Sequence, residues 1–185
     1  MGNTAEKLAS YDDILDLPDN IVGEIIYGQL HTHPRPAPKH ALAASSVGGE
    51  LFSPFQRSNN GTGGWWILDE PELHLGEHVL VPDLAGWRKQ RMPSLPETAW
   101  FEIVPDWVCE VLSPSTARTD RVEKMPVYAR QGVAFCWLID PVLQTLEVYK
   151  LHEGQWLLQQ SLKDDEMVSA EPFASHEFSL GNLWE

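Results

Sequence analysis

The stretch DWVCEVLSPSTARTDRVEKMPVYARQGV, residues 106–133, holds a strand, a turn and a helix in succession. Its opening, DWVCEVL, is an apolar, β-rich run interrupted by one acid, Glu110. Ser113-Pro114-Ser115 supplies the turn. The segment from about Thr119 to Gln131 then predicts a helix that stops at Gly132, a favoured residue just past a helix C-terminus. Pro126 within it predicts a kink or a first turn, because proline has no N–H to give the helical ladder. Side chains alternate along a strand, so Val108, Glu110 and Leu112 share one face. An unpaired buried carboxylate costs several kcal/mol, so Glu110 has to be protonated, ion-paired or metal-bound.

Working outward, residues 1–20 read as a helical leader, TAEKLASYDDILDL, stopped at Pro18-Asp19. IVGEIIYGQLHTH reads as a hairpin of residues 21–27 and 29–33 about Gly28. Pro34, Pro36 and Pro38 break the chain, and Leu42, Val47, Leu51 and Phe52 give residues 39–57 a helical period despite Gly48 and Gly49. SNNGTGG is a loop by its Asn and Gly content. WWILDE and HVLVPDLAGW read as two strands joined by a polar turn near Gly76, followed by an exposed irregular loop over residues 88–105. Downstream, AFCWLID, TLEVYKL and QWLLQQS are three strands, the last two a hairpin about Glu153-Gly154. From Lys163 a loop and one short strand are expected. This order predicts an α/β (α+β) fold: a central mixed sheet flanked by helices, with an N-terminal β-hairpin and extra C-terminal strands. At 185 residues the whole chain, 1–185, reads as a single domain.

Three acids sit in strand-like runs: Glu24 in IVGEIIY, Asp83 in VLVPDLAGW and Glu110 in WVCEVL. Ion pairs with Arg or Lys account readily for one such acid and less readily for three. Asp83 follows Pro82, and Glu110 lies on the next strand. Two carboxylates on neighbouring strands can hold one hard divalent cation such as Mg²⁺, with water completing its shell. Glu24 is a candidate third ligand. Lys124, on the helix after Glu110, can approach the same point if that helix packs over the strand.

The other polar residues have blander readings. Asp120 suits the first turn of a helix through the helix dipole. Ser113 and Ser115 suit the turn, and Tyr128 is expected to pack. His31, His33 and His40 are close in sequence but match no zinc spacing. His40, at a helix start, is structural or a phosphate contact. Arg88, Lys89 and Arg91 form a local basic cluster and are the candidates for backbone phosphate contacts, set against a plain solvated loop.

The run VPD…CEVLSPSTARTDRVEKMPVYARQGVAFCWLIDP resembles the Uma-two restriction-endonuclease family of the PD-(D/E)XK nuclease superfamily. The resemblance extends from YDDILDLPDN and GEIIYGQL to the strands after Asp140 and is most specific in EVLSPST…D…EK…YAR. It implies a restriction-endonuclease-like core and Mg²⁺- or Mn²⁺-dependent hydrolysis of DNA, with Asp83, Glu110 and Glu24 as ligands. Leu112 stands where the superfamily signature has its lysine, so the resemblance implies that Lys124 has taken over that role from the helix.

Composition sets limits on this reading. The chain has 27 acidic residues against 13 Lys plus Arg, a formal charge of −14. Non-specific nucleic-acid binding is driven by phosphate neutralisation, so this charge weighs against DNA binding unless bound cations or a local basic patch offset it. That charge supports an alternative, a catalytically silent nuclease-fold protein acting as a binding or interaction module. No apolar run approaches bilayer length, and the N-terminus lacks the basic-then-apolar pattern of a secretory signal. Cys109 and Cys136 lie in apolar runs and read as buried thiols of a reducing, cytoplasmic setting. A double-strand cutter needs two active sites, so a two-fold homodimer is expected.

Overall fold

The computed structural model describes residues 8–34, 36–57 and 63–185. Helix α1 is Tyr11–Leu15, shorter than the leader helix expected from sequence, and residues 1–7 of that leader lie outside the described residues. The predicted hairpin forms as β1 (Ile21–Ile26) and β2 (Gln29–Pro34). Tyr27 and Gly28 turn it with φ of 51° and 74°, the pair of positive angles whose twist matches the flanking strands. Helix α2 (Pro38–Leu51) starts on proline, where the missing N–H costs nothing, and passes into a π-helical turn at Phe52–Arg57. The Gly-rich loop of the sequence reading falls mostly on residues 58–62, outside the described residues.

Next come β3 (Trp65–Asp69), β4 (Leu73–Leu75), β5 (His78–Leu80), β6 (Leu84–Arg88) and β7 (Trp107–Val111). Then follow α3 (Ala117–Thr119), a π-helical turn at Asp120–Lys124 and α4 (Met125–Gln131), which ends on Gly132 at φ 84° as predicted. Pro126 lies in the first turn of α4, where no N–H is required of it. The chain closes with β8 (Phe135–Asp140), β9 (Thr145–His152), β10 (Gln155–Lys163), β11 (Met167–Val168), β12 (Phe178–Ser179) and a 3₁₀ turn, Leu180–Leu183.

The fold is a mixed α+β one built on a six-stranded sheet of order β10-β9-β8-β7-β6-β3. Only β7 and β8 run parallel. A parallel pair needs a crossover, and α3 to α4 provides it, which lays that helical segment over the sheet. A second sheet has the order β2-β1-β5-β4. HVLVPDLAGW is therefore two strands rather than the one expected. Val81-Pro82-Asp83 is the break at which the chain leaves the small sheet as β5 and enters the large one as β6. Pro82 has no N–H for a ladder, so the switch occurs where pairing is already interrupted.

Alternation along β7 sorts the core. Trp107, Cys109 and Val111 face α2 and the C-terminal segment, packing with Val47, Leu51, Trp137, Phe173 and Phe178. Val108 and Leu112 face the other way, with Val127, Tyr128, Cys136 and Leu138. Cys109 and Cys136 thus belong to opposite faces and are buried free thiols. Two segments read as loops are anchored by apolar side chains. In residues 88–105 Met92 is buried and Phe101 stacks on Trp87 at 4.6 Å. After Lys163, Phe173, Phe178, Leu180 and Leu183 fill the core. Each such burial is worth about 1.5–3 kcal/mol, enough to pin an irregular backbone. No helix among the described residues is long and apolar enough to cross a membrane.

Candidate active site

The β5–β6 break, β1, β7 and the π-helical turn meet at one cavity of about 420 Å³. Glu24 comes from β1, Asp83 from the break, Glu110 from β7, and Asp120 and Lys124 from the π-helical turn. A π-helical turn holds one extra residue in the helical circuit, a feature frequent at functional sites. Here it leaves both Asp120 and Lys124 buried.

Lys124 is the hub and is only 3% exposed. Its Nζ lies 2.8 Å from Glu110 Oε1, 3.0 Å from Glu24 Oε1 and 3.7 Å from Asp120 Oδ1, and donates to Val81 O at 3.4 Å. The backbone pins the acids as well. Val81 N–H donates to Glu24 Oε1 at 2.7 Å, and Val111 N–H donates to Asp83 Oδ2 at 2.7 Å. Val111 follows Glu110 directly, so that second bond ties Asp83 to the strand carrying its fellow acid. Tyr128 O–H donates to Glu110 Oε1 at 2.6 Å. Two histidines close the other side: His40 Nε2 is 3.3 Å from Asp83 Oδ1, and His33 Nε2 is 3.7 Å from Glu24 Oε2.

The structure thus brings together Glu24, Asp83, Glu110, Lys124 and His40 of the sequence-predicted set. It does not bring Arg88, Lys89 and Arg91 to the cavity. They lie at the far end of β6, where Arg88 stacks over Trp65 at 4.6 Å and Lys89 over Trp66 at 4.4 Å. Arg91 pairs with Asp106 at 2.9 Å. Two site residues were missed. Asp120 is a buried partner of Lys124 rather than a solvated first-turn acid, and Tyr128 is a hydrogen-bond donor to Glu110 rather than plain packing. The four-residue spacing from Asp120 to Lys124, and the further turn to Tyr128, was the available signal, since such residues share a helix face.

Charge decides how the cluster ionises. Four carboxylates surround one ammonium. Burial raises Glu24, but Lys124, His33 and the Val81 N–H outweigh it and hold the group at about 2. Burial lifts Asp83 to about 7 against the pull of Val111 N–H and Lys124. Burial, with Asp120, Asp83 and Glu24 nearby, raises Glu110 well above the usual carboxylate range. Burial opposes the charge on Lys124, yet Glu110, Glu24 and Asp120 raise it well above an ordinary lysine.

These shifts give stability a pH dependence. Asp83 ionises near 3.8 when unfolded and near 7 when folded, so its contribution is complete below about pH 4 and is lost as pH rises through 7. Glu24 works oppositely, its contribution being lost only as pH falls from 4.5 through about 2. Urea midpoints measured from pH 5 to pH 8 should therefore fall, by on the order of 3 kcal/mol for Asp83 alone. Asp83→Asn should flatten that slope, and an unchanged slope would show that Asp83 ionises normally.

The cluster suits a divalent cation by charge and donor chemistry. Its four carboxylates, when ionised, carry more charge than one lysine offsets, and its donors are hard oxygens, as Mg²⁺ and Mn²⁺ prefer. Among the described residues no group of three His, Cys, Asp or Glu side chains is already arranged to hold a metal ion. Lys124 takes the central position instead.

No curated protein matches the chain. The chain is similar to a crystal structure described as a "putative nuclease belonging to DUF820" from Anabaena variabilis. The two are 27% identical with a TM-score of 0.75, covering 95% of this chain and 97% of that one. Residues 9–182, nearly the whole length, match the model of the Uma2 family, whose description is "Putative restriction endonuclease". The chain belongs to the Uma2 family.

Proposed function

We propose that this chain is a single-domain, metal-dependent endonuclease that hydrolyses DNA phosphodiester bonds in the cytoplasm. The observation that carries the reading is the buried convergence of Glu24, Asp83, Glu110 and Asp120, from four separate segments, on one lysine. The family description and the structure from Anabaena variabilis described as a "putative nuclease" support it.

Asp83 and Glu110 would hold Mg²⁺ or Mn²⁺, with Glu24 beside them. Such an ion, when bound, acidifies a water and offsets charge growing on the phosphate. The residues of the chain do the positioning. Val111 N–H and Tyr128 O–H fix the orientations of Asp83 and Glu110, so neither carboxylate has to be ordered when substrate arrives. Lys124 orients the attacking water or offsets the pentacoordinate charge as a compact cation. His40 abuts Asp83 and faces the same cavity, within which it can reach a phosphate oxygen. Arg88, Lys89 and Arg91 are engaged away from the cavity, so the exposed Lys39 and Arg118, chain neighbours of the lining residues His40 and Thr119, are nearer phosphate contacts.

The test is incubation of the purified chain with supercoiled and single-stranded DNA, with Mg²⁺, Mn²⁺ or a chelator. Cleavage should require the ion and vanish with the chelator. The net charge of −14 favours one competing reading, the catalytically silent binding module. Absence of cutting with either ion, alongside DNA binding in a gel-shift assay, would establish that reading instead.

A further inference from the structure

The six-stranded and four-stranded sheets have four edges, and two of these are closed by other segments. At β3, Gln56 Oε1 accepts from Ile67 N–H at 2.7 Å, and the π-helical turn of α2 lies alongside. At β4, the backbone is bridged by Phe101, which exchanges bonds of 2.8 Å with His74 N–H and Glu72 O. Strand β2 borders the acidic cavity and ends on Pro34. Strand β10 lies at the opposite edge of the large sheet from β3. It pairs with β9 alone, so its outer edge has no strand partner among the described residues. It is nine residues long, about 30 Å of backbone.

Exposed edges are normally protected by charge, proline or shortness, because free N–H and C=O groups template pairing. In β10 the run QWLLQQSL, residues 155–162, has neither charge nor proline. Leu157 and Leu158 are 46% and 55% exposed at its middle. Its guarding features are a bulge between Leu158 and Gln160 and, at its end, the Lys163 N–H, which donates to Glu166 Oε2 at 2.9 Å.

We infer that β10 is the dimerisation edge of this protein, pairing antiparallel with β10 of a second copy about a two-fold axis near Leu158. Two observations select a second copy as the occupant. An antiparallel strand edge is self-complementary about a two-fold, so no other shape is required. The uncharged run is where two copies of charge −14 meet with least repulsion. With Leu158 at the axis, the two Leu158 side chains meet each other and each Leu157 comes opposite Gln159 of the other copy. No β10 residue lines the acidic cavity, so pairing leaves both cavities open.

The test uses the full chain in light scattering after gel filtration and in sedimentation equilibrium. The parent should run at twice 20.9 kDa. Leu158→Lys, which sets two ammonium groups against each other at the axis, should weaken association at least about 30-fold, as expected of a residue at an interface centre. Circular dichroism should be unchanged, since Leu158 is exposed in the single copy. Leu158→Cys should form a disulfide-linked dimer on mild oxidation, while Cys109 and Cys136 stay buried and Val142→Cys, at an exposed turn, should not. A parent that is monomeric at high micromolar concentration would overturn the inference. So would a dimer indifferent to Leu158→Lys that fails to cross-link through Leu158→Cys. DNA cleavage is measured separately, so neither result touches the nuclease reading.

Discussion

Asp83→Asn should cut DNA at least about a thousandfold more slowly than the parent and should unfold less readily at pH 8. The rate loss follows from removing one carboxylate of the proposed ion site, whose electrostatic help is worth several kcal/mol at 1.36 kcal/mol per factor of ten. The stability gain follows from the same burial. Asp83 is raised to about 7, so at pH 8 the folded chain has to hold it ionised in surroundings that disfavour the charge. The amide removes that cost and keeps the geometry. Its oxygen can still accept from Val111 N–H, and its NH₂ can donate to the His40 Nε2 that faces Oδ1. Opposite signs in the two measurements distinguish a functional acid from a structural one. A variant less stable than the parent and equally active would place Asp83 in the scaffold. Equal cleavage by both preparations would show a contaminating nuclease.

That antagonism explains how much of the site was legible in the sequence. Glu24, Asp83 and Glu110 were visible because each breaks the local rule that a strand bound for the interior is apolar, and such violations concentrate at functional sites. The hairpin about Gly28 and the helix stop at Gly132 were visible because both rest on backbone chemistry within a few residues. Asp120 obeyed a local rule, the preference for acids in a first helical turn, and only its four-residue spacing from Lys124 hinted that the two share a face. Its burial depends on the crossover from β7 to β8, which is a tertiary fact. The basic cluster misled for the same reason. Arg88 and Lys89 looked free for phosphate, but antiparallel pairing of β3 with β6 sets Trp65 across from Arg88 and puts Trp66 within reach of Lys89. That pairing joins residues more than twenty positions apart and leaves no local trace. The strand break at Pro82 was half-legible: proline signals an interruption, but not that the chain changes sheets there.

Lys124→Met should destabilise the fold by about 3–5 kcal/mol at pH 7.5, the cost of stripping a buried acid of its counter-charge. Methionine has nearly the same length and flexibility, so packing changes little. The electrostatics change completely, because Glu24, Glu110 and Asp120 all lie within 3.7 Å of the ammonium that is removed. Glu24 owes its low value of about 2 partly to Lys124, and without it the dominant influence is burial, which raises the group. The unfolded chain then gives up its protons at lower pH than the folded one, so the variant recovers stability as the solution is acidified. Urea unfolding of parent and variant at pH 5 and pH 7.5 measures this directly, and the gap between them should be clearly smaller at pH 5. A gap that is equal at both pH values would mean that Lys124 acts through shape. Cleavage by any folded fraction of Lys124→Met should be lost at both pH values, because protonating the acids restores the fold without restoring a cation beside the scissile phosphate.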